Sequence, residues 1–532
     1  MFFKELKKYA DGSPTSLHCP GHNSGNALSH SQASADFLSF FGKNLFLADA
    51  CNSVDQLGQL LTHSGGIAES EGYAASVYGA DKLYFSVGGT SASNRIIVSS
   101  VLSEGDIAIV DRNCHKSVMH AIIESGAIPV YLVPSRGNNG EILGVDSSQL
   151  TKENICSAIG KSRLIGWGGD RRTVLVLTQA TYDGIMYNCQ RISDELSSMM
   201  HAIHFDEAWS SHTYFSGWYR GYRAMDVVDN VCPIFSSQSI HKTSLALTQS
   251  SQILVKDGVR KHNGPSLDQS YLMHSTTSPS YPLIASCDMN ARAMEESGRD
   301  LVAEARKVAM MIRDKIGFLA EKDSDFFFRV SFPQFERGLQ IHDVTKVTIT
   351  CGNVPAAIVS DHLVFRGINV EKVGLYSFLA LITVGTPRPY VDMLINSLSE
   401  FCSVYNRDVG GMQQAAKEIN TTLAEYDIIN ICNWAYTILP DQEMIPRRAH
   451  NALISGKSIP VPLAELHGQI SCVIVAPYPP GIPVIMPGEV FSEVVIKYIS
   501  ACLALNDKLG RDILPVHGVR KIDGKYFIDC CE

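Results

Sequence analysis

No run of about eighteen consecutive apolar residues occurs in this chain of 532 residues, so no segment reads as a membrane-spanning helix. The most apolar late stretch, 470–487, is interrupted by five prolines. The opening residues MFFKELKKYADGSP lack the apolar core of a secretory signal. No long Lys/Arg run exists and the formal net charge is −9. That balance argues against nucleic acid as a main partner, because phosphate binding needs a basic surface. The 14 cysteines are scattered and form no CxxC pair, so neither a zinc site nor a disulfide framework is indicated. No GxxxxGK[ST] loop is present, which leaves a nucleotide reading poorly supported. Repeats and low-complexity tracts are absent as well. The expectation is a soluble, cytoplasmic protein without a metal.

What the chain does have is length and an ordinary apolar content of 45%, enough for two to four domains or subdomains. KLYFSV (82–87), DIAIVD (106–111), IPVYLV (128–133), TVLVLT (173–178), AIHFDEA (202–208) and PIFSSQS (233–239) are short and β-branched or aromatic. They are apolar on both faces, as strands of a helix-covered parallel sheet are. Helical patterns lie between them, which predicts α/β architecture. MEESGRDLVAEARKVAMMIRDKIGFLAE (294–321) reads as one long amphipathic helix. FFFRVSF (326–332) and DVTKVTIT (343–350) open a smaller α/β domain, and a last helix is expected near 489–509. The predicted division is an N-terminal arm (1–55), a large domain (56–300), a small α/β domain (301–415) and a C-terminal domain (416–532).

Four constellations carry chemistry. Ser239-Ile240-His241-Lys242 follows a buried strand, where an amine loses water and a proton more readily and becomes a nucleophile. Thirty-six residues upstream, HFDEAW ends another strand at Asp206. A carboxylate beneath a pyridine nitrogen keeps it protonated and makes the ring an electron sink. SVGGTSASN (86–94) joins a strand to a helix and sets the Thr90 and Ser91 hydroxyls beside free N–H groups, a phosphate cradle. DRNCHKS (111–117) ends a strand with His115, an imidazole able to stack on a flat cofactor. Each also fits a plainer reading taken alone: a strand-end lysine, a capping aspartate, a simple Gly-rich turn, a loop histidine.

Taken in order, these pieces resemble the ornithine/lysine/arginine decarboxylases, pyridoxal-phosphate enzymes of the aspartate-aminotransferase fold (fold type I). HCPGH (18–22), TYDGIMYN (181–188), MHSTTSPSYPLIAS (273–286) and YPPGIPVIMPGE (478–489) extend the resemblance over nearly the whole chain. It implies a large domain with a mainly parallel sheet, a smaller α/β domain and a C-terminal domain. It implies Lys242 as the Schiff-base lysine, Asp206 on the pyridinium nitrogen and His115 stacked on the ring. Thr90, Ser91, Ser239 and His241 would hold the phosphate or flank the lysine, and Ala208 and Trp209 would line the ring. Lys242 or His241 would return the Cα proton. The implied activity is decarboxylation of a basic amino acid (lysine, ornithine or arginine) in polyamine biosynthesis. Glu489, Asp49 and Asp55 are candidates for the distal cation, each equally readable as a surface or capping carboxylate. Thr276, Thr277 and Ser278 would lie near an active site at a homodimer or higher homo-oligomer interface. Three departures stand out: Gly88 where the family's loop has Asn, a start almost at HCPGH that suggests a short form without the N-terminal wing domain, and a shorter C-terminal part. The second favours a dimer over a decamer. The same fold also serves transamination and elimination, and a non-catalytic regulatory homologue is a further alternative.

Overall fold

The computed structural model describes residues 1–532 apart from 14, 138–140, 167–169, 479–480 and 511, so Pro479 and Pro480 of the turn-rich motif lie outside the described residues. The chain divides into two compact units.

The first unit comprises Met1–Val101 and His201–Val302. Its strands Ala202–Asp206 and Ile234–Gln238 are buried at every position and run parallel, Asp206 opposite Ser237. Burial on both faces is why these segments read as continuous apolar runs. The next strand, Ser251–Lys256, was not foreseen; it pairs antiparallel with Ile234–Gln238 and with Lys82–Ser86. Its polar opening hides it from a hydropathy reading, yet Ser251 and Gln252 are fully buried. Their side chains are met internally: Ser93 Oγ lies 3.1 Å from Ser251 Oγ, and Gln252 Nε2 donates to Gln238 Oε1 at 2.8 Å. This edge is therefore antiparallel, within the mainly parallel pairing that was expected. Helices Gly65–Tyr78, Gly89–Val101 and Gly264–His274 belong to the same unit.

The second unit comprises Leu102–Met200 and Ala303–Glu532. Ile107–Asp111 is flanked in parallel by Ile128–Leu132 and Thr173–Thr178. A second, antiparallel sheet follows the order Arg329–Val330, Lys346–Thr350, Ser377–Leu381, Lys372–Val373. Only two residues of FFFRVSF join that ladder, because Phe326 and Phe328 turn into the apolar core with Val347, Ile349 and Phe378. A third sheet pairs Ser458–Pro462 and Arg520–Ile522 with Lys525–Cys531. The last helix is Glu493–Leu509, N-capped by Ser492.

The long helix is longer than its pattern. It spans Tyr281–Lys322, 42 residues, and starts well before the amphipathic stretch. Asp288 and Asn290 near its start are fully buried beside Ile284, Cys287 and Ala291, so no polar stripe marks that opening part as helical.

Candidate active site

In open α/β sheets, ligands gather beyond the carboxyl ends of parallel strands. In the first unit those ends carry Asp206 on one strand and Ser239 to Lys242 just after its neighbour. Asp206 is 4% exposed. Its Oδ2 accepts from Asn94 Nδ2 at 2.9 Å and its Oδ1 from the Ala208 amide at 3.0 Å. Burial pushes the Asp206 carboxyl above the usual range; the Asn94 and Ala208 hydrogen bonds and the Lys242 charge oppose that shift. Two donors and a nearby cation are what an ion needs to survive away from water.

Lys242 sits in the short helix Ile240–Thr243, with Nζ 3.8 Å from the centroid of the Trp209 ring, a cation–π contact. Ser211 Oγ fixes the residues after the lysine, at 3.0 Å from Thr243 Oγ1 and 2.9 Å from Ser244 Oγ. His241 is half-buried, and its Nδ1 donates to the Ser250 carbonyl at 2.8 Å. Burial lowers its pKa, the Ser250 bond opposes this, and the Lys242 charge adds to the lowering. The imidazole is thus neutral, with its lone pair on Nε2.

Gly89 takes φ +68° at the turn into helix Gly89–Val101, and its amide donates to the Gln249 carbonyl at 2.9 Å. A left-handed backbone there suits glycine. Thr90 Oγ1 lies 2.5 Å from Ser239 Oγ, so the helix start and the segment before Lys242 share a hydroxyl pair. Ser91 is half-buried on the first turn. First-turn N–H groups and three hydroxyls are the kind of groups that could hold a phosphate dianion.

Glu207, next to Asp206, went unnoticed in the sequence. It accepts from Ser236 Oγ, Gln238 Nε2, Tyr214 Oη and the Ala224 amide at 2.5, 2.8, 2.8 and 2.9 Å. Four donors satisfy it fully and pin the strand end that presents Asp206. Asn94 was visible in the loop motif without a role; its partner is set by tertiary pairing.

His115 belongs to the second unit, where it N-caps helix Lys116–Ser125: its Nδ1 accepts from the Ser117 amide at 3.2 Å. The ring is exposed. Asp49 Oδ2 lies 3.1 Å from His22 Nε2, and Asp55 opens a 3₁₀ turn at the surface. Thr276, Thr277 and Ser278 form an exposed loop whose Thr277 carbonyl accepts from Asn52 Nδ2 at 3.2 Å. Glu489 requires a correction. Expected as a possible anchor for a distal cation, it is 1% exposed and holds both Arg112 Nη atoms at 2.8 Å. Its Oε2 also accepts from the Met486 amide at 2.7 Å. Burial opposes the charge on Arg112, and Glu489 more than offsets it, holding the guanidinium above its ordinary pKa. That carboxylate is committed to an internal ion pair.

Comparison with known proteins gives the family. Residues 1–389 match the family model "Orn/Lys/Arg decarboxylase, major domain" and residues 429–532 match "Orn/Lys/Arg decarboxylase, C-terminal domain". A lysine decarboxylase of Pseudomonas aeruginosa is 32% identical, the alignment covering 99% of this chain and 80% of that protein. The constitutive lysine decarboxylase of Escherichia coli is 30% identical over 99% of this chain and 80% of its own length. The crystal structure of the Francisella novicida lysine decarboxylase superposes with a TM-score of 0.94 at 30% identity, covering 100% of this chain and 81% of that one. The chain therefore belongs to the Orn/Lys/Arg decarboxylase family and is a pyridoxal-phosphate-dependent amino-acid decarboxylase.

Proposed function

We propose that this enzyme removes the α-carboxylate of a basic amino acid of the lysine, ornithine or arginine type, with Lys242 carrying the cofactor and Asp206 facing its ring nitrogen. The observation that carries the reading is the buried Asp206 carboxylate, held by Asn94 and the Ala208 amide within the field of Lys242, itself stacked on Trp209. The relatives' names support the basic substrate. Polyamine metabolism, a cytoplasmic setting and a homodimer with active sites near its interface extend the same proposal.

Pyridoxal phosphate has a phosphate, a ring nitrogen and an aldehyde. The first unit offers the Thr90, Ser91 and Ser239 hydroxyls at a helix start, a buried anion and a primary amine, so the residues fit. When bound, the cofactor supplies an electron sink for the pair left behind as CO2 departs. The protein's own part is positional and electrostatic. The two donors and the Lys242 charge oppose the effect of burial on Asp206, and the carboxylate would help keep a proton on the nitrogen it faces. Ala208 and Trp209 would line the ring. His241, locked as a donor at Nδ1, keeps a basic Nε2. Lys242, or His241 after its Nε2 has taken up a proton from solvent, would return a proton to Cα once the carboxylate has gone.

The test has two parts. Borohydride should fix the cofactor on Lys242, read by peptide mass spectrometry. Incubation with lysine, ornithine and arginine should yield CO2 and the corresponding amine from at least one. Label on a different lysine, or a keto acid as product, sinks the assignment.

A further inference from the structure

A line of polar side chains runs inward from Asp206. Asn94 Nδ2 donates to Asp206 Oδ2 at 2.9 Å, Ser237 Oγ donates to Asn94 Oδ1 at 2.6 Å, and His204 Nε2 lies 3.0 Å from Ser237 Oγ. Asn94, Ser237 and His204 are each 1% exposed or less. They come from the helix Gly89–Val101 and the two parallel strands.

The hydrogens along this line have one consistent arrangement. A carboxylate only accepts, so Asn94 must turn its NH2 to Asp206 and its carbonyl to Ser237. Ser237 has one proton, directed to Asn94 Oδ1 and within reach of the Asp206 carboxylate as well. Its oxygen must then accept from His204, which places the imidazole hydrogen on Nε2. His204 Nδ1 is buried and has no hydrogen-bond partner. Leaving a buried nitrogen unmet costs stability, and burial alone holds the His204 pKa at about 3. An apolar residue would avoid both costs, so the retained imidazole points to what its other nitrogen does.

Resting on the reading of Asp206 as the partner of the ring nitrogen, we propose that Asn94, Ser237 and His204 are positioning residues. Through Asn94 and Ser237 the line presents only donors to Asp206, favours its ionised form against burial and fixes its orientation. His204, two residues before Asp206 on the same strand, anchors the line from its far end.

Two measurements on the cofactor-free protein test this, with turnover as a third. In ¹⁵N-histidine-labelled protein, with the His204 signal assigned by its loss in His204→Gln, the ring should be the neutral Nε2–H tautomer from pH 5 to 9. In ¹³C-aspartate-labelled protein, with Asp206 assigned by its loss in Asp206→Asn, Ser237→Ala should raise the Asp206 pKa by about one unit or more. Ser237→Ala only deletes an oxygen, and the wild-type tautomer remains a test should that variant fold poorly. With cofactor, Ser237→Ala should lower kcat roughly ten- to a hundredfold and leave KM within about twofold. Ser237→Thr, which keeps the hydroxyl, should restore the pKa. An Nδ1–H tautomer at His204, or an Asp206 pKa unmoved in Ser237→Ala, overturns the proposal. Near-normal turnover in Asp206→Asn would instead sink the role of Asp206 in catalysis, while the apo-protein titrations still decide the relay.

Discussion

Replacing Glu489 with alanine separates two uses of that carboxylate. Arg112 and Glu489 are each 1% exposed and joined by two bonds of 2.8 Å. Arg112 Nη2 has one further acceptor, the Val484 carbonyl at 3.4 Å, and its guanidinium lies 4.4 Å from the Tyr131 ring centroid. Neither contact carries a negative charge. Glu489→Ala leaves a buried cation uncompensated and takes the acceptor from the Met486 amide. Breaking such a pair costs about 3–5 kcal/mol. Unfolding entropy is about 2.1 cal/mol/K per residue, or roughly 1.1 kcal/mol/K if all 532 residues unfold together. The midpoint should fall by about 3–5 °C, and further if only one unit melts. Differential scanning calorimetry and urea titration measure this. Arg112→Met/Glu489→Leu should lose less than either single change, because no charge is then stranded. KM for the preferred substrate should stay within about twofold in Glu489→Ala. Unchanged stability together with a large KM increase would refute the internal pairing and restore Glu489 as a substrate contact.

Two further outcomes follow from the geometry. Thr90→Val and Ser239→Ala should each weaken pyridoxal phosphate binding about tenfold or more, since each removes a hydroxyl from a charge-bearing site; absorbance titration of the apo-protein reads the affinity, and unchanged binding would remove the cradle. His342 is buried with its pKa lowered to about 4, burial being the main cause, while its unfolded value is about 6.5. Its contribution to stability is full above pH 6.5 and drains away as pH falls toward 4, by up to about 1.4 kcal/mol per pH unit. Urea midpoints of wild type and His342→Gln at pH 7.5 and 5 should diverge on acidification, with wild type losing more; parallel loss would show that the imidazole is not buried neutral.

The strands bearing Asp206 and Lys242 were legible because burial on both faces demands continuous apolar runs, and that demand is written locally. The lysine, the aspartate and the Gly-rich loop were legible through order and spacing. Ser251–Lys256 was not, because its buried Ser and Gln side chains break the apolar run and find partners only in the folded chain. The part of the Tyr281–Lys322 helix before residue 294 was hidden because Asp288 and Asn290 are buried there, so hydropathy carries no period.

By itself the amino-acid sequence determined which groups are available: an amine after one strand, a carboxylate at the end of another, hydroxyls at a helix start, and the family to which the chain belongs. Only the tertiary structure decided which carboxylates are at liberty to act. Asp206 and Glu489 are equally acidic residues in conspicuous motifs. One is met by Asn94 and an amide beside a lysine, the other by a guanidinium more than three hundred positions away in the chain. Charge is a property of a residue, but the energy of a charge depends on the solvent and partners that folding leaves around it.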